Sequence, residues 1–142
     1  MVHAVATAQV PKITFLLGGS YGAGNYAMCG RGLDPHFIFA WPNSKTAVMG
    51  GAQAGKVLRI VTEAKQQKMG ITPDENVLNF LEMSTAAKLE SQSTALFNTA
   101  KLFDDGVIDP RDTRKLLVFL LQTIKEAEQR QLSTNTYGVA RF

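Results

Sequence analysis

The densest cluster of glycines in the sequence sits directly behind a short apolar run, and that junction constrains the fold more than any other feature. Ile13-Thr14-Phe15-Leu16-Leu17, preceded by Pro11, is rich in β-forming residues and reads as a buried strand. It ends in Gly18-Gly19-Ser20-Tyr21-Gly22-Ala23-Gly24, after which Asn25-Tyr26-Ala27-Met28-Cys29 reads as a short buried helix. A strand that turns through glycines into a helix brings backbone N–H groups and the positive end of the helix dipole to one point. Such a turn serves close packing or binds an anion, and in either role it belongs to an α/β architecture.

The glycines also divide the chain. Eight of the 12 lie between Gly18 and Gly51, and after Gly70 only Gly106 and Gly138 remain. In the front part, Phe37-Ile38-Phe39-Ala40-Trp41 predicts a second buried strand, stopped by Pro42-Asn43, and Thr46-Ala47-Val48-Met49 a third, very short one. Gly50-Gly51 then leads into a helix with Ala54, Val57, Leu58 and Val61 at helical spacing. In the back part, Thr72-Pro73-Asp74-Glu75 has the form of a capping box with proline at the first helical position. The helix it opens runs, with room for a break, through Leu78, Leu81, Leu89, Leu96 and Phe97 to a stop at Gly106. Val107-Ile108 offers a short strand, and Asp109-Pro110-Arg111-Asp112 repeats the cap before Leu116, Leu117, Leu120, Leu121 and Ile124. The expected organisation is one α/β domain: a glycine-rich strand/helix core over 1–62, a helical part over 71–132 and an aperiodic tail over 133–142.

Composition removes several classes. With 45% hydrophobic and 19% charged residues the chain is neither a disordered tail nor a collagen-like fibre. No apolar run approaches the roughly 18 residues of a membrane span, so no membrane partner is expected. Met1 to Thr7 lacks the basic and apolar regions of a signal peptide, which reads as not secreted. The single cysteine, Cys29, rules out an internal disulfide and any multi-cysteine metal site, and fits a reducing compartment. Residues 1–62 hold five basic groups (Lys12, Arg31, Lys45, Lys56, Arg59) against one acid, Asp34. They are scattered, with no aromatic motif beside them, which argues against nucleic acid; a solvated surface or a small anionic ligand suits them better.

Three chemistries could use the glycine turn. Gly18-Gly19-Ser20-Tyr21-Gly22 matches G-x-S-x-G, the nucleophile turn of serine hydrolases, with Asp34 and His36 as the only downstream partners. Gly22-Ala23-Gly24-Asn25-Tyr26-Ala27 fits the dinucleotide pattern G-x-G-x-x-A, but no acid lies between 37 and 62 to hold a ribose. The third is an oxyanion hole without a nucleophile, in which backbone N–H groups beside small residues approach a developing negative oxygen. Against all three stands a plain packing turn.

At this point a resemblance enters. Gly18 through Arg31, together with Trp41-Pro42-Asn43, Val48-Met49-Gly50-Gly51 and Gln53-Ala54, resembles the carboxyltransferase β subunit of biotin-dependent acyl-CoA carboxylases, especially the methylcrotonyl-CoA carboxylase branch. Leu102-Phe103-Asp104-Asp105-Gly106-Val107-Ile108-Asp109-Pro110 and Asp112-Thr113-Arg114 continue the match in collinear order. The resemblance implies a crotonase-like fold of stacked β-β-α units, of which this chain is similar to the latter part of the C-terminal carboxyltransferase domain. Met1 would then fall inside that domain.

The implied reaction moves a carboxyl group from carboxybiotin, carried on a biotin-bearing α subunit, to an acyl-CoA such as 3-methylcrotonyl-CoA, a step of leucine degradation. Each site would lie between two β subunits of a homo-oligomer, in bacterial cytoplasm or the mitochondrial matrix, with no metal in this segment. The backbone amides of Ala23 and Gly24 would form the hole for the biotin ureido oxygen. Gly22, Asn25, Tyr26, Met49, Gly50, Gly51 and Gln53 would border substrate, Tyr26 facing the acyl pocket or else serving as a core aromatic. Met28 and Cys29 are expected as buried packing. The chain differs from the family at Ala52, where glutamate is frequent. Within the same superfamily, geranyl-CoA or propionyl-CoA carboxylase β subunits and glutaconyl-CoA decarboxylase-type carboxyltransferases are alternatives. A non-catalytic subunit-assembly module is the alternative of another class. Because the hole for the acyl thioester belongs to the other carboxyltransferase domain, the chain alone is expected to be inactive.

Overall fold

The computed structural model describes residues 1–70 and 72–131; the tail expected from 133 onward lies outside them. The chain divides into two compact units, Met1–Pro110 and Arg111–Phe142. The first contains α1 (Val2–Thr7), β1 (Ile13–Leu16), β2 (Gly19–Tyr21), α2 (Gly22–Ala27), a 3-10 turn at Arg31–Leu33, β3 (Phe37–Ala40), β4 (Lys45–Ala47), α3 (Gly51–Lys68), α4 (Glu75–Gln92) and α5 (Ala95–Ala100). The second holds α6 (Thr113–Gln129), whose buried positions, Leu120 and Ile124, are one helical turn apart.

Both sheets are two-stranded and parallel. β1 pairs with β3, Ile13 opposite Phe37 through Leu16 opposite Ala40, and β2 pairs with β4, Gly19 opposite Lys45 through Tyr21 opposite Ala47. Parallel neighbours need a crossover, and α2 lies within the connection that joins each pair. Sheets this small cannot stand alone; the surrounding helices supply the cover. Val107-Ile108, expected as a strand, makes only a parallel bridge to Ala40, fixed by Ala40 N–H to Gly106 O and Ile108 N–H to Ala40 O.

Burial corrects two expectations. All four β1 residues are half-buried, and β3 alternates, with Ile38 and Ala40 buried while Phe37 and Phe39 are half-buried. The outer edge of β3 is covered by residues 105–108, which bond Ile38 and Ala40, the two residues of the strand that are buried. The helix expected over 25–29 begins instead at Gly22, and only Ala27 in it is buried. Cys29, at φ 65°, lies beyond its end, and Met28 is 67% exposed rather than packed.

The helices pack over small residues. A Cβ added to Gly51 or Gly55 would lie 2.6 Å from the Ala86 or Glu82 carbonyl oxygen, so α3 approaches α4 more closely than any side chain permits. Arg59 of α3 pins the same contact by donating to Glu75 Oε2 at 2.6 Å and to Glu82 Oε2 at 3.4 Å on α4. The cap of α4 is Asp74, whose side chain accepts from Asn76 N–H, and not Thr72 as the capping-box reading has it. A break at Ser93-Thr94 separates α4 from α5, and Thr94 caps α5. Buried Asn98 closes that break by donating to the carbonyls of Ser93 and Thr94, both at 2.9 Å, and to that of Thr46 on β4 at 3.3 Å. Ser93 O also accepts from Thr46 N–H at 2.8 Å, so the α4–α5 corner is stitched to β4.

Candidate active site

The strand–turn–helix junction forms where the sequence places it, one step shorter than expected. β2 takes up Gly19-Ser20-Tyr21 and delivers the chain straight into α2 through Gly22, at φ +64°, a conformation that favours glycine. Tyr21 occupies the cap position of α2 in extended conformation and provides no side-chain cap, so the first-turn amides, Ala23 and Gly24 among them, are left without an intrahelical acceptor. Ala23 and Gly24 are exposed, and a Cβ at Gly24 would meet nothing within 4 Å. An oxygen can therefore approach these amides without displacing a side chain.

No nucleophile accompanies them. Ser20 sits in the middle of β2 rather than at the turn, and its hydroxyl bonds Asn25 Oδ1 at 3.0 Å. His36 accepts the Lys12 amide at its Nδ1, 3.3 Å away, and donates its own amide to Lys12 O at 2.7 Å. Asp34 and His36 border a small cavity of about 200 Å³ that Ser20 does not touch. Among the described residues the serine-hydrolase arrangement is absent.

Beside α2 lies a more enclosed cavity of about 400 Å³, walled by β1, β3, β4, α4 and α5. Asn25, Tyr26 and Met49 all border it, so the structure brings together three of the residues expected to contact substrate. Tyr26 is 37% exposed at its edge and is not a core aromatic. Gly22 is tied to the same region, because its α-carbon faces the Val48 carbonyl, 3.5 Å from an added Cβ. Gly50, Gly51 and Gln53 are not on this wall. Gly50 caps α3, where a Cβ would run into Gln53 Oε1, and Gly51 is buried against α4. Gly51 thus serves the packing of α3 on α4.

Sequence reasoning missed Asn98 and the Arg31–Phe103 pair, in which the guanidinium lies 3.8 Å from the ring centroid on the cavity wall. Asn98 leaves no signal in a helical pattern. Asp104 and Asp105 were visible only as part of the family-like stretch. Asp105 Oδ2 accepts Ile38 N–H at 2.7 Å, and Asp104 borders the cavity with its Oδ2 buried and without a hydrogen-bond partner. Lys45, next to β4's cavity residues, has its pKa raised by the hydrogen bond and charge of Glu90. Among the described residues no group of three or more His, Cys, Asp or Glu could hold a metal, and no helix is long and apolar enough to cross a membrane.

A glycine-turned, uncapped helix start with exposed first-turn amides marks the candidate site of an α/β protein. The chain belongs to the carboxyl transferase domain family, which it matches over residues 1–138. It is 45% identical over its whole length to the mitochondrial methylcrotonoyl-CoA carboxylase β chain of Arabidopsis thaliana, covering 24% of that protein. It is 44% identical, again over its whole length, to the biotin-dependent 3-methylcrotonyl-coenzyme A carboxylase β1 subunit of Mycobacterium tuberculosis, covering 26% of it. The crystal structure of the geranyl-CoA carboxylase β subunit of P. aeruginosa superposes with a TM-score of 0.86 at 66% identity, over 99% of this chain and 26% of that one. The fold is thus the crotonase-like carboxyltransferase fold, and the chain spans about a quarter of the length of these relatives.

Proposed function

We propose that this chain is the part of an acyl-CoA carboxylase β subunit that stabilises negative charge on biotin during carboxyl transfer, with a geranyl-type acyl-CoA as the acceptor. The open approach to the Ala23 and Gly24 amides carries the first half of this reading. Carboxybiotin, brought by a partner subunit, supplies the activated carboxyl group. The amides of Ala23 and Gly24 would donate to the ureido oxygen as charge builds there, a role that needs fixed dipoles and no ionisable side chain. The β2–β4 pairing and the Ser20–Asn25 bond hold the helix start in place, so little reorganisation is needed when charge appears. Acyl-CoA, a biotin-carrying subunit and further β subunits are the implied partners.

For the acceptor, 66% identity to a geranyl-CoA carboxylase subunit outweighs 45% and 44% to methylcrotonyl-type chains. The methylcrotonyl reading is second, favoured by the Gly18-to-Arg31 resemblance. Fixation of labelled bicarbonate by the carboxylase containing this chain separates them. Geranyl-CoA should be carboxylated with the higher kcat/KM; a clear preference for 3-methylcrotonyl-CoA reverses the assignment. Trapping of an acyl-enzyme on Ser20 would overturn the carboxyltransferase reading altogether.

A further inference from the structure

We infer that Arg31 is a positioning residue: stacked on Phe103, it holds the trailing end of α2 and, through it, the helix start that the reaction uses. This rests on the carboxyltransferase reading above. The chain leaves α2 by folding straight back onto it. Gly30 donates its amide to Tyr26 O at 3.3 Å, and a Cβ there would lie 2.6 Å from Asn25 O. Gly32 lies against the Tyr26 ring, 3.3 Å from an added Cβ. Arg31 stands between these two contacts, so whatever fixes it also fixes α2. With six residues α2 is shorter than two helical turns, and a displacement at its end carries to its start.

Strand β1 holds one side of this turn, where Thr14 Oγ1 donates to Cys29 O at 2.8 Å and Lys12 Nζ to Leu33 O at 2.9 Å. The other side is held across a ring. The Arg31 guanidinium carbon stands 3.8 Å from the Phe103 ring centroid, a distance at which a planar cation stacks on an aromatic face. Phe103 is itself fixed: its amide donates to Asn98 O at 3.1 Å, and Asp105 exchanges two hydrogen bonds with Ile38 of β3. Backbone strain singles out the same pair. Among the described residues three non-glycine residues have left-handed φ, Cys29 at 65°, Asp34 at 50° and Leu102 at 57°. All three lie in the two segments that this contact joins, and strain of that kind gathers at functional sites. A stack on a ring 41% exposed adds little stability, so the position it sets is the better account of it.

In the carboxylase containing this chain, Arg31→Met and Phe103→Leu should each lower kcat about tenfold, with KM for acyl-CoA within about twofold of wild type. The melting temperature should hardly move. The double variant should be within about twofold of either single one, because both substitutions remove one contact. Arg31→Lys should be nearly as slow as Arg31→Met, since an ammonium does not stack as a guanidinium does. Phe103→Tyr keeps the ring and should retain at least about half of wild-type turnover. The guanidinium also borders the cavity beside α2, and a direct charge contact with a bound anion would give a different pattern. Arg31→Lys and Phe103→Leu would then both stay near wild type, and Arg31→Met would raise KM. That pattern overturns the proposal, as do losses that multiply in the double variant, or a lower melting temperature with kcat of the folded enzyme unchanged. Should Phe103→Leu fail to fold, Arg31→Lys against Phe103→Tyr still decides. A wild-type enzyme that carboxylates neither acyl-CoA would instead remove the reading on which the role of Arg31 rests.

Discussion

Two glycine clusters that look alike in the sequence do opposite work in the structure. At the start of α2, Gly24 faces open space and Gly22 makes a left-handed turn, so the backbone is laid open to whatever approaches. At the start of α3, Gly51 and Gly55 are closed against the α4 backbone, where an added Cβ would sit 2.6 Å from a carbonyl oxygen. Both are glycine-bearing helix starts after short strands, and each helix begins without a side-chain cap bond. The difference lies in what stands opposite. α2 has six residues and nothing within reach of a Cβ at Gly24, whereas α3 has eighteen and a partner helix of equal length against Gly51 and Gly55. A glycine's purpose is set by the neighbour it admits.

The sharpest break between the two readings comes from putting the same kind of side chain in both places. Gly24→Val in the assembled enzyme should lower turnover by about 10²–10³, the cost of an oxyanion donor that substrate can no longer reach. The melting temperature should move little, because the new side chain meets nothing. A turnover within about threefold of wild type would show that these amides are not used. Ser20→Ala, removing only the bond to Asn25, should cost far less than Gly24→Val.

Gly51→Ala or Gly55→Ala should give the reverse pattern. Alanine would ordinarily stabilise a helix interior by about 0.5–1 kcal/mol over glycine. Here it must push α3 off α4, and overpacking of this kind costs about 1–3 kcal/mol. Calorimetry should show a clear fall in melting temperature, with KM for both substrates unchanged in the folded fraction. A raised KM with an unchanged melting temperature would place Gly51 at the site after all and dissolve the contrast.

The sequence reads well wherever a signal is local. The strand before the glycine turn, the α3 helix and the break in the back helix all follow from residues within a few positions of one another. The α3 stripe does not: Val57, Leu58 and Val61 are exposed, and the helix packs through Gly51 and Gly55. Burial does not read locally. Met28 looks like core beside Ala27, yet α2 is too short to be enclosed on more than one side. Gly51 looks like an open helix end, because the Ala86 carbonyl that closes it lies 35 positions away. The strand–turn–helix junction was visible in Gly22-Ala23-Gly24, whereas the cavity beside it is assembled from β1, β3, β4, α4 and α5 and has no linear pattern. Asn98 joins three carbonyls of which only Ser93 and Thr94 are near it in the chain.

The helical hairpin can be tested at its other end as well. Asp74 caps α4 and Thr72 does not, so Asp74→Ala should cost about 1 kcal/mol and Thr72→Ala almost nothing. Thermal unfolding of the two variants distinguishes them. An equal loss in both would restore the capping box suggested by Thr72-Pro73-Asp74-Glu75.

The smallest effect concerns the ion pair that links the two regions, Lys45 on β4 with Glu90 on α4. Both side chains are nearly half exposed, so water and salt screen most of their attraction. The Glu90 bond and charge raise the lysine pKa above its ordinary 10.5. A lysine whose pKa is higher in the folded state contributes its full stabilisation below the ordinary value and loses it as pH climbs through the raised one. Lys45→Met should therefore lower the melting temperature by no more than about 2 °C near neutral pH. That small gap should shrink in high salt and close above the ordinary lysine range. If the gap instead stays constant through alkaline pH, the lysine holds β4 against α4 by the packing of its stem. If it is large at neutral pH, the joint between the open glycine site and the closed one depends on charge, and the two regions are less independent than their glycines suggest.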